Sequence, residues 1–132
     1  MPLTKRRTYR RIPIPKSHKK TIRHYCMDVE GGNLGENARI IRFPCHKGKN
    51  QKFHYNKTRQ LIAHHSGKCV DNLNGRLYQK TCSSAKSTQK WRKSQKKNTL
   101  VSLADRKCVD ADIVTDKFGS RHLITTSCSK KG

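Results

Sequence analysis

"CVDNLNGRLYQKTCSSAKSTQKW", residues 69–91, holds one complete copy of a pattern that recurs along this chain. The copy opens on Cys-x-Asp, continues to a second cysteine at Cys82 and ends on Gln-x-aromatic. Self-similarity at a fixed period predicts a fold built from equivalent units that share one core. The number of such copies therefore decides the architecture.

Two further copies flank this stretch. "CMD" at Cys26–Asp28 and "CVD" at Cys108–Asp110 repeat the opening triplet at intervals of about 40 residues. Each is followed by a second cysteine, and the first copy also ends on "QKF" from Gln51, whereas the sequence reaches Gly132 where the third Gln-x-aromatic would fall. The sequence predicts three units, at about 25–66, 67–105 and 106–132, the last of them truncated.

Six cysteines in a small chain are typical of a disulfide framework, although six allow 15 pairings. Equivalent units most simply close equivalent bridges, which selects Cys26–Cys45, Cys69–Cys82 and Cys108–Cys128. Bridges closing such loops should each contribute on the order of 3 kcal/mol by constraining the unfolded chain.

Composition favours one small all-β domain. The chain has 132 residues, the usual size of a single domain, and only 32% of them are hydrophobic. No long window keeps a helical apolar period, but short runs alternate or cluster as strands do. These runs are Ala38–Phe43, Arg59–Ala63, Thr99–Leu103 and Leu123–Thr125.

The formal net charge of +23 points to polyanionic partners such as nucleic acid, sulfated glycans or anionic surfaces. The start of the chain is basic without a following apolar segment, so we expect neither a secretory signal nor a membrane span. Disulfides nevertheless imply an oxidising setting. Localisation therefore stays open, with the virion or the nucleus as possible sites.

Residues 1–24 form a separate region in the sequence, which we interpret as a basic, extended N-terminal arm. The region lacks acidic residues and contains "IPIP" at Ile12–Pro15, which favours an extended path. It is either a solvated tail or a functional element, which would be an electrostatic anchor for polyanions or a nuclear import signal. The candidate polyanion-binding residues are Lys5, Arg6, Arg7, Arg10, Arg11, Lys16, Lys19, Lys20 and Arg23.

The repeated Cys-x-Asp triplets, their second cysteines and the two Gln-x-aromatic motifs make residues 25–132 resemble the ricin B-type lectin family. The resemblance implies a β-trefoil of four-stranded units, with intra-unit disulfides as paired above and each motif's glutamine and aromatic ring in the core. "CHKGKNQKFHY", residues 45–55, also resembles the lectin domain attached to animal GalNAc-transferases. That domain is non-catalytic, so the implied partner is a galactose or GalNAc-type glycan.

The resemblance also assigns a sugar site to the first unit. In the family, sugar contacts come from the aspartate of Cys-x-Asp, an aromatic ring two residues before the second cysteine, and the asparagine before Gln-x-aromatic. Carried over by position, these residues are Asp28, Phe43 and Asn50. Ile41 stands where some members have a glutamine that influences affinity or sugar choice.

The other two units depart from this set. The second keeps Asp71 but has Lys80 and Thr88 in place of the ring and the asparagine, and the third keeps Asp110 but has Thr126 in place of the ring. We expect neither to bind sugar in the usual way. The third unit must also close differently or depend on a partner.

Enzymatic and metal-binding functions are not expected. The chain has no Cys-x-x-Cys and no His-x₃-His pattern for zinc, and Cys45 beside His46 is half of a disulfide and has no thiolate. The repeats place His54, His64 and His122 in no common register for ribonuclease chemistry, and the repeated aspartates belong to different units, too far apart for a glycosidase pair. We therefore predict no enzyme, no cofactor and no metal.

Two functional hypotheses remain, because a fold does not determine a function. The first is a carbohydrate-binding module whose cationic arm docks on a polyanion or an assembly surface. The second is a structural protein, associated with a capsid or virion, that uses the trefoil for contacts with a larger assembly. In that case the arm would bind nucleic acid or neighbouring subunits, and sugar binding would be lost.

Overall fold

A computed structural model describes residues 7–14, 24–94, 99–115 and 120–128 of the chain. Among these residues there is no α-helix, and no helix could cross a membrane. Three short 3₁₀ turns occur at Glu30–Gly32, Lys49–Gln51 and Ser87–Gln89. The described strands are β1 (Arg10–Arg11), β2 (Tyr25–Val29), β3 (Ile40–Pro44), β4 (Lys52–Tyr55), β5 (Leu61–Ala63), β6 (Cys69–Leu73), β7 (Arg76–Lys80), β8 (Trp91–Lys93), β9 (Leu100–Ser102), β10 (Cys108–Ala111) and β11 (Arg121–Thr126).

The three units share one strand register, which makes the sequence repeat a structural repeat. In each unit the Cys-x-Asp strand pairs antiparallel with the next strand: β2 with β3, β6 with β7, and β10 with β11. The first cysteine lies opposite the residue two positions before the second cysteine, which is Phe43, Lys80 or Thr126. The all-β trefoil prediction is confirmed.

The predicted disulfides form in all three units. They join Cys26 to Cys45, Cys69 to Cys82 and Cys108 to Cys128, with Cα–Cα distances of 5.1, 5.0 and 5.0 Å. The shared register explains this pairing, because it brings the end of the second strand of each unit back beside the start of its Cys-x-Asp strand. Each bridge therefore fastens one unit locally.

A short strand precedes each Cys-x-Asp strand and pairs with it. Ile62 lies opposite Cys69 and Val101 opposite Cys108, while Pro13 forms the matching bridge to Cys26. The hydrogen bonds match as well: Ala63 N to Lys68 O is 2.8 Å, Ser102 N to Lys107 O is 2.9 Å and Ile14 N to Tyr25 O is 2.9 Å. Residues 12–14 thus occupy, in the first unit, the position that β5 and β9 occupy in the next two.

The prediction of an arm outside the trefoil is corrected for residues 10–14. β1 pairs with β4, with Arg10 opposite Phe53, and the side chain of Ile14 is 4% exposed within the core. The backbone can take this path because its hydrogen bonds to β2 fall on alternate residues. Ile12 O accepts from Met27 N and Ile14 N donates to Tyr25 O, so Pro13 needs no N–H. Residues 1–6 and 15–23, with Lys5, Arg6, Lys16, Lys19, Lys20 and Arg23, lie outside the described residues.

The third unit is built into the fold through its second strand. β11 pairs with β3 at His122–Ile41 and with β7 at Ile124–Arg76, as well as with β10. Within 99–115 and 120–128 this unit has no counterpart of β4 and β8, the strands that carry Gln-x-aromatic.

The core is small and lies between the units. Phe53 is 3% exposed and Trp91 is fully buried, alongside buried aliphatic and sulfur-containing side chains from all three repeats. Burying such a side chain stabilises the fold by roughly 1.5–3 kcal/mol. The buried residues include Met27, Val29, Ile40, Leu61, Val70, Leu77, Val109 and Leu123.

Candidate functional site

Each Gln-x-aromatic glutamine fastens the end of the second strand to the Cys-x-Asp strand. Gln51 is fully buried; its Nε2 donates to Asp28 Oδ2 at 2.8 Å and to Pro44 O at 3.0 Å, and its Oε1 accepts from His46 N at 2.8 Å. Gln51 ends a 3₁₀ turn that leads into β4, the strand of Phe53, and Gln89 likewise ends a turn that leads into β8, the strand of Trp91. The loop after the second cysteine is thereby held beside the aspartate.

Gln89 repeats this arrangement in the second unit. Its Nε2 donates to Asp71 Oδ2 at 3.1 Å and to Thr81 O at 3.0 Å, and its Oε1 accepts from Ser83 N at 2.9 Å. Gln89 Oε1 also accepts from Gln60 Nε2 at 2.9 Å, a bond that Gln51 does not share. The contacts to the aspartate and to the second strand are otherwise equivalent, so the two sites differ mainly in the side chains around them.

In the first unit the structure brings Asp28 and Asn50 into contact. Asn50 Nδ2 donates to Asp28 Oδ1 at 3.2 Å and to Val29 O at 3.0 Å, so its Oδ1 remains as the acceptor. The ring of Phe43 is 38% exposed at the same end of the unit, one residue before Pro44, whose carbonyl binds Gln51. This unit thus combines an exposed aromatic face with polar groups held in place.

His46 belongs to the same cluster, which sequence reasoning missed. Its Nε2 lies 3.4 Å from Asp28 Oδ2, and its ring centroid is 6.1 Å from that of Phe43, edge-on. Its Nδ1 accepts from Gly48 N at 2.8 Å, so the proton sits on Nε2, facing the carboxylate. No local sequence signal identifies this role, because it depends on the bond from His46 N to Gln51 Oε1, which forms only in the folded loop.

Gly48 is required for this arrangement because of space. A Cβ at this position would lie 2.7 Å from His46 Cε1 and 2.8 Å from Asn50 Oδ1. A side chain at this position would therefore have to displace the imidazole and the amide that meet over Asp28.

The carboxylate of Asp28 is nearly enclosed. Asp28 is 3% exposed, and its two oxygens are approached by Asn50, Gln51 and His46. A carboxylate has about four acceptor positions, so about one stays open for a further donor such as a hydroxyl. Burial raises the pKa of Asp28 above its ordinary value of 3.8, against the opposing effects of the Gln51 hydrogen bond and the His46 ring.

The second unit carries cations where the first carries an aromatic ring. The ammonium of Lys80 reaches Asn37 Oδ1, and Lys86 Nζ lies 3.8 Å from Asp71 Oδ2. Thr88 occupies the position of Asn50. The aspartate there is paired with a lysine, and the ring opposite it in the ladder, Tyr78, is half-buried and packs edge-on against His122.

The third unit leaves its aspartate without the glutamine. Asp110 is exposed, unlike Asp28 and Asp71, and its Oδ1 accepts from Ala111 N at 2.7 Å. Thr126, opposite Cys108, supplies no ring. Among the described residues, only the first unit assembles the predicted combination.

In the described part of the chain, His54 and His64 lie close together and His122 lies apart from them. Tyr9 stacks on His64 with ring centroids 4.1 Å apart and also contacts His54 at 5.7 Å, whereas His122 is buried elsewhere, with Nε2 2.9 Å from Leu77 O. His54 and His64 thus share one aromatic neighbour, a proximity that the repeat did not predict. The described residues contain no cluster of three or more His, Cys, Asp or Glu that could hold a metal ion.

Solved structures show how widely this fold occurs. The C-terminal half of an earthworm R-type lectin, in complex with GalNAc, matches with a TM-score of 0.68 and 20% identity, covering 82% of this chain and 84% of that one. The designed three-fold symmetric protein ThreeFoil matches with a TM-score of 0.69 and 24% identity, covering 80% of this chain and 84% of that one. The β-trefoil lectin of the Vibrio vulnificus hemolysin/cytolysin, with N-acetyl-D-lactosamine bound, matches with a TM-score of 0.61 and 22% identity, covering 78% of this chain and 76% of that one. At these identities the likeness shows the fold.

The sequence itself carries the family assignment. No curated protein matches it significantly. The profile of the ricin-type beta-trefoil lectin domain, however, matches residues 18–132, most of the chain. The chain therefore belongs to the ricin-type β-trefoil lectin family.

Proposed function

We propose that this protein is a non-enzymatic carbohydrate-binding module that holds a glycan in its first unit. The observation that carries the proposal is the exposed Phe43 ring beside the hydrogen-bonded group of Asp28, Asn50 and His46, a combination absent from the other described units. Earthworm and Vibrio relatives in complex with GalNAc and N-acetyl-D-lactosamine support the same class of ligand. The proposed ligand is a galactose or GalNAc-type glycan.

Each residue has a distinct role in this proposal. The ring of Phe43 offers apolar contact to the carbon face of a sugar. The open acceptor position of Asp28 and the Oδ1 of Asn50 accept hydrogen bonds from sugar hydroxyls, and a bond to a charged acceptor contributes roughly 1.5–3 kcal/mol. Ile41 is 2% exposed and provides no polar contact there. One such site supports affinity of about millimolar strength, raised where several copies act together.

We also propose that the basic N-terminal region gives the module affinity for polyanions. Arg7, Arg10 and Arg11 are described and exposed, and the sequence around them holds no acid. Nucleic acid and an assembly surface remain proposed partners on charge alone. The comparisons lend no support to the capsid or virion alternative.

The test is a glycan titration of wild-type and Phe43→Ala protein, using galactose, GalNAc and lactose by isothermal calorimetry. Phe43→Ala should abolish binding while the thermal unfolding curve stays in place, because the ring is exposed. Ile113→Ala removes a side chain that is 86% exposed and far from the site in sequence, and it serves as the matched control. Wild-type protein that binds none of these sugars would overturn the proposal.

A further inference from the structure

A cavity lined by basic residues adjoins the candidate sugar site. It is open to solvent, has a volume of about 800 Å³ and lies between the N-terminal strand and the first disulfide. Cys26 and Cys45 line it, together with the basic residues Arg10, Arg11, Lys52 and His24. None of the described residues that line it is acidic.

The strand register concentrates this charge. Arg11 lies directly opposite Lys52 in the β1–β4 ladder, so both side chains stand on the same face. Like charges placed directly opposite each other destabilise a sheet. An anion held between them would relieve the repulsion, and the guanidinium of Arg11 could bind it with two parallel hydrogen bonds.

Among the described residues, no carboxylate lines this cavity. The first acid in the sequence is Asp28, whose carboxylate faces Asn50, Gln51 and His46 instead. Among the described residues, Arg11 and Lys52 take part in no ion pair. The positive potential of the concave surface is therefore available to an external ligand.

The position of the cavity connects it to the sugar site. Pro44 and Cys45, which line it, follow Phe43 directly, and His24 O accepts from Cys45 N at 3.1 Å, which places His24 at the same edge. Tyr9 also lines the cavity, but its ring is already stacked on His64 and is not free to stack on a nucleobase. A compact anionic group attached to a sugar fits these features better than a nucleic acid strand does.

We propose that this cavity binds the sulfate or carboxylate group of an acidic glycan whose neutral sugar is held at Phe43, an inference that rests on the proposed function. Arg11 and Lys52 bind the anion, and His24 lies beside it. The protein would thereby select sulfated or sialylated glycans over neutral ones.

The experiment compares lactose, sulfated lactose and sialyllactose by calorimetry at low ionic strength, for wild-type protein and the double variant Arg11→Gln/Lys52→Gln. Arg106→Gln/Lys107→Gln removes the same charge from exposed positions just before β10 that do not line the cavity, and it is the matched control. One or both acidic sugars should bind wild type and control about tenfold more tightly than lactose does. This advantage should disappear in Arg11→Gln/Lys52→Gln, while lactose affinity is unchanged.

Equal affinity for acidic and neutral sugars in wild type would overturn this inference and leave the proposed function standing. An advantage that persists in Arg11→Gln/Lys52→Gln would also overturn it. If lactose does not bind but sulfated lactose binds in a way that needs Arg11 and Lys52 and not Phe43, the proposed function fails and the anion site stands. Oligothymidylate serves as the nucleic acid probe. If its binding depends on Arg11 and Lys52 more strongly than the binding of either acidic sugar does, the cavity is a nucleic acid site and the glycan inference is overturned.

Thermal unfolding provides a second readout that also checks folding. Sodium sulfate should raise the melting temperature of the wild type more than that of Arg11→Gln/Lys52→Gln at equal ionic strength, because an ion that binds only the folded state stabilises it. Equal shifts in both proteins would count against the site, since they would reflect the general effect of sulfate on burial.

Discussion

At the scale of single residues, Asp28 combines burial with a charge. Its pKa is raised by burial, so the folded state keeps the proton at pH values where the unfolded chain has already released it. The contribution of Asp28 to stability is fully present below the unfolded value near 3.8 and is lost as pH rises through the raised folded value. Compared with Asp28→Asn, the wild-type free energy of unfolding should therefore fall across this window. Urea unfolding of both proteins at a series of pH values measures the difference, and a difference that does not change with pH would contradict the assignment.

Gly48 offers a prediction based on space alone. Gly48→Ala should push His46 and Asn50 apart and weaken glycan binding by about tenfold or more, the loss expected for one hydrogen bond to a charged group. Gly35→Ala is the control, because a Cβ there meets Asn33 Oδ1 only at an ordinary 3.4 Å. Calorimetric titration with the best-binding glycan of the panel measures both variants, and equal affinities would show that the loop tolerates the change.

At the scale of elements, the two buried glutamines separate stability from binding. Gln89→Ala removes bonds to Asp71, Thr81 O, Ser83 N and Gln60 Nε2 and leaves buried groups unpaired, so it should lower the free energy of unfolding by about 3 kcal/mol. Gln51→Ala should cost about as much and should also abolish glycan binding, because Gln51 positions Asp28 and the His46 loop. Urea unfolding and calorimetry distinguish the two effects. Loss of binding in both variants would mean that the site depends on the whole fold rather than on the first unit.

The N-terminal strand makes its own contribution to stability. Ile14 is in the core, so Ile14→Ala should cost roughly 2–5 kcal/mol. The exposed Ile113→Ala should change stability by less than about 0.5 kcal/mol. Chemical unfolding measures both, and an equally small effect at the two positions would show that residues 10–14 do not pack as described.

At the scale of the whole molecule, a thin core and strong self-repulsion make the disulfides decisive. Three bridges at about 3 kcal/mol each are comparable to the whole stability of a typical domain, about 5–15 kcal/mol. Reduction should therefore unfold the protein at physiological temperature. Added salt should restore part of the fold by screening the net charge of +23. Circular dichroism with and without reductant at two salt concentrations tests this, and a reduced protein with an unchanged melting curve would contradict it.

The fold was largely predictable because the same sequence motif occurs three times. Three Cys-x-Asp triplets and their second cysteines predict equivalent units, and the equal register of Cys26–Phe43, Cys69–Lys80 and Cys108–Thr126 is the structural form of that repeat. The place of Ile12–Ile14 was not predictable in the same way. These residues carry no repeated motif, and they pair with β2 across residues 15–23, with Pro13 opposite Cys26.

The sequence by itself determined the fold class, the disulfide pairing and which unit keeps an aromatic ring beside an asparagine and an aspartate. These properties depend on residue type and spacing, which a repeat displays directly. Only the tertiary structure decided that His46 faces Asp28, that Asp110 is exposed while Asp28 and Asp71 are buried, and that Arg11 lies opposite Lys52. Contact, burial and charge proximity depend on how distant segments pack, and no local pattern in the chain encodes them.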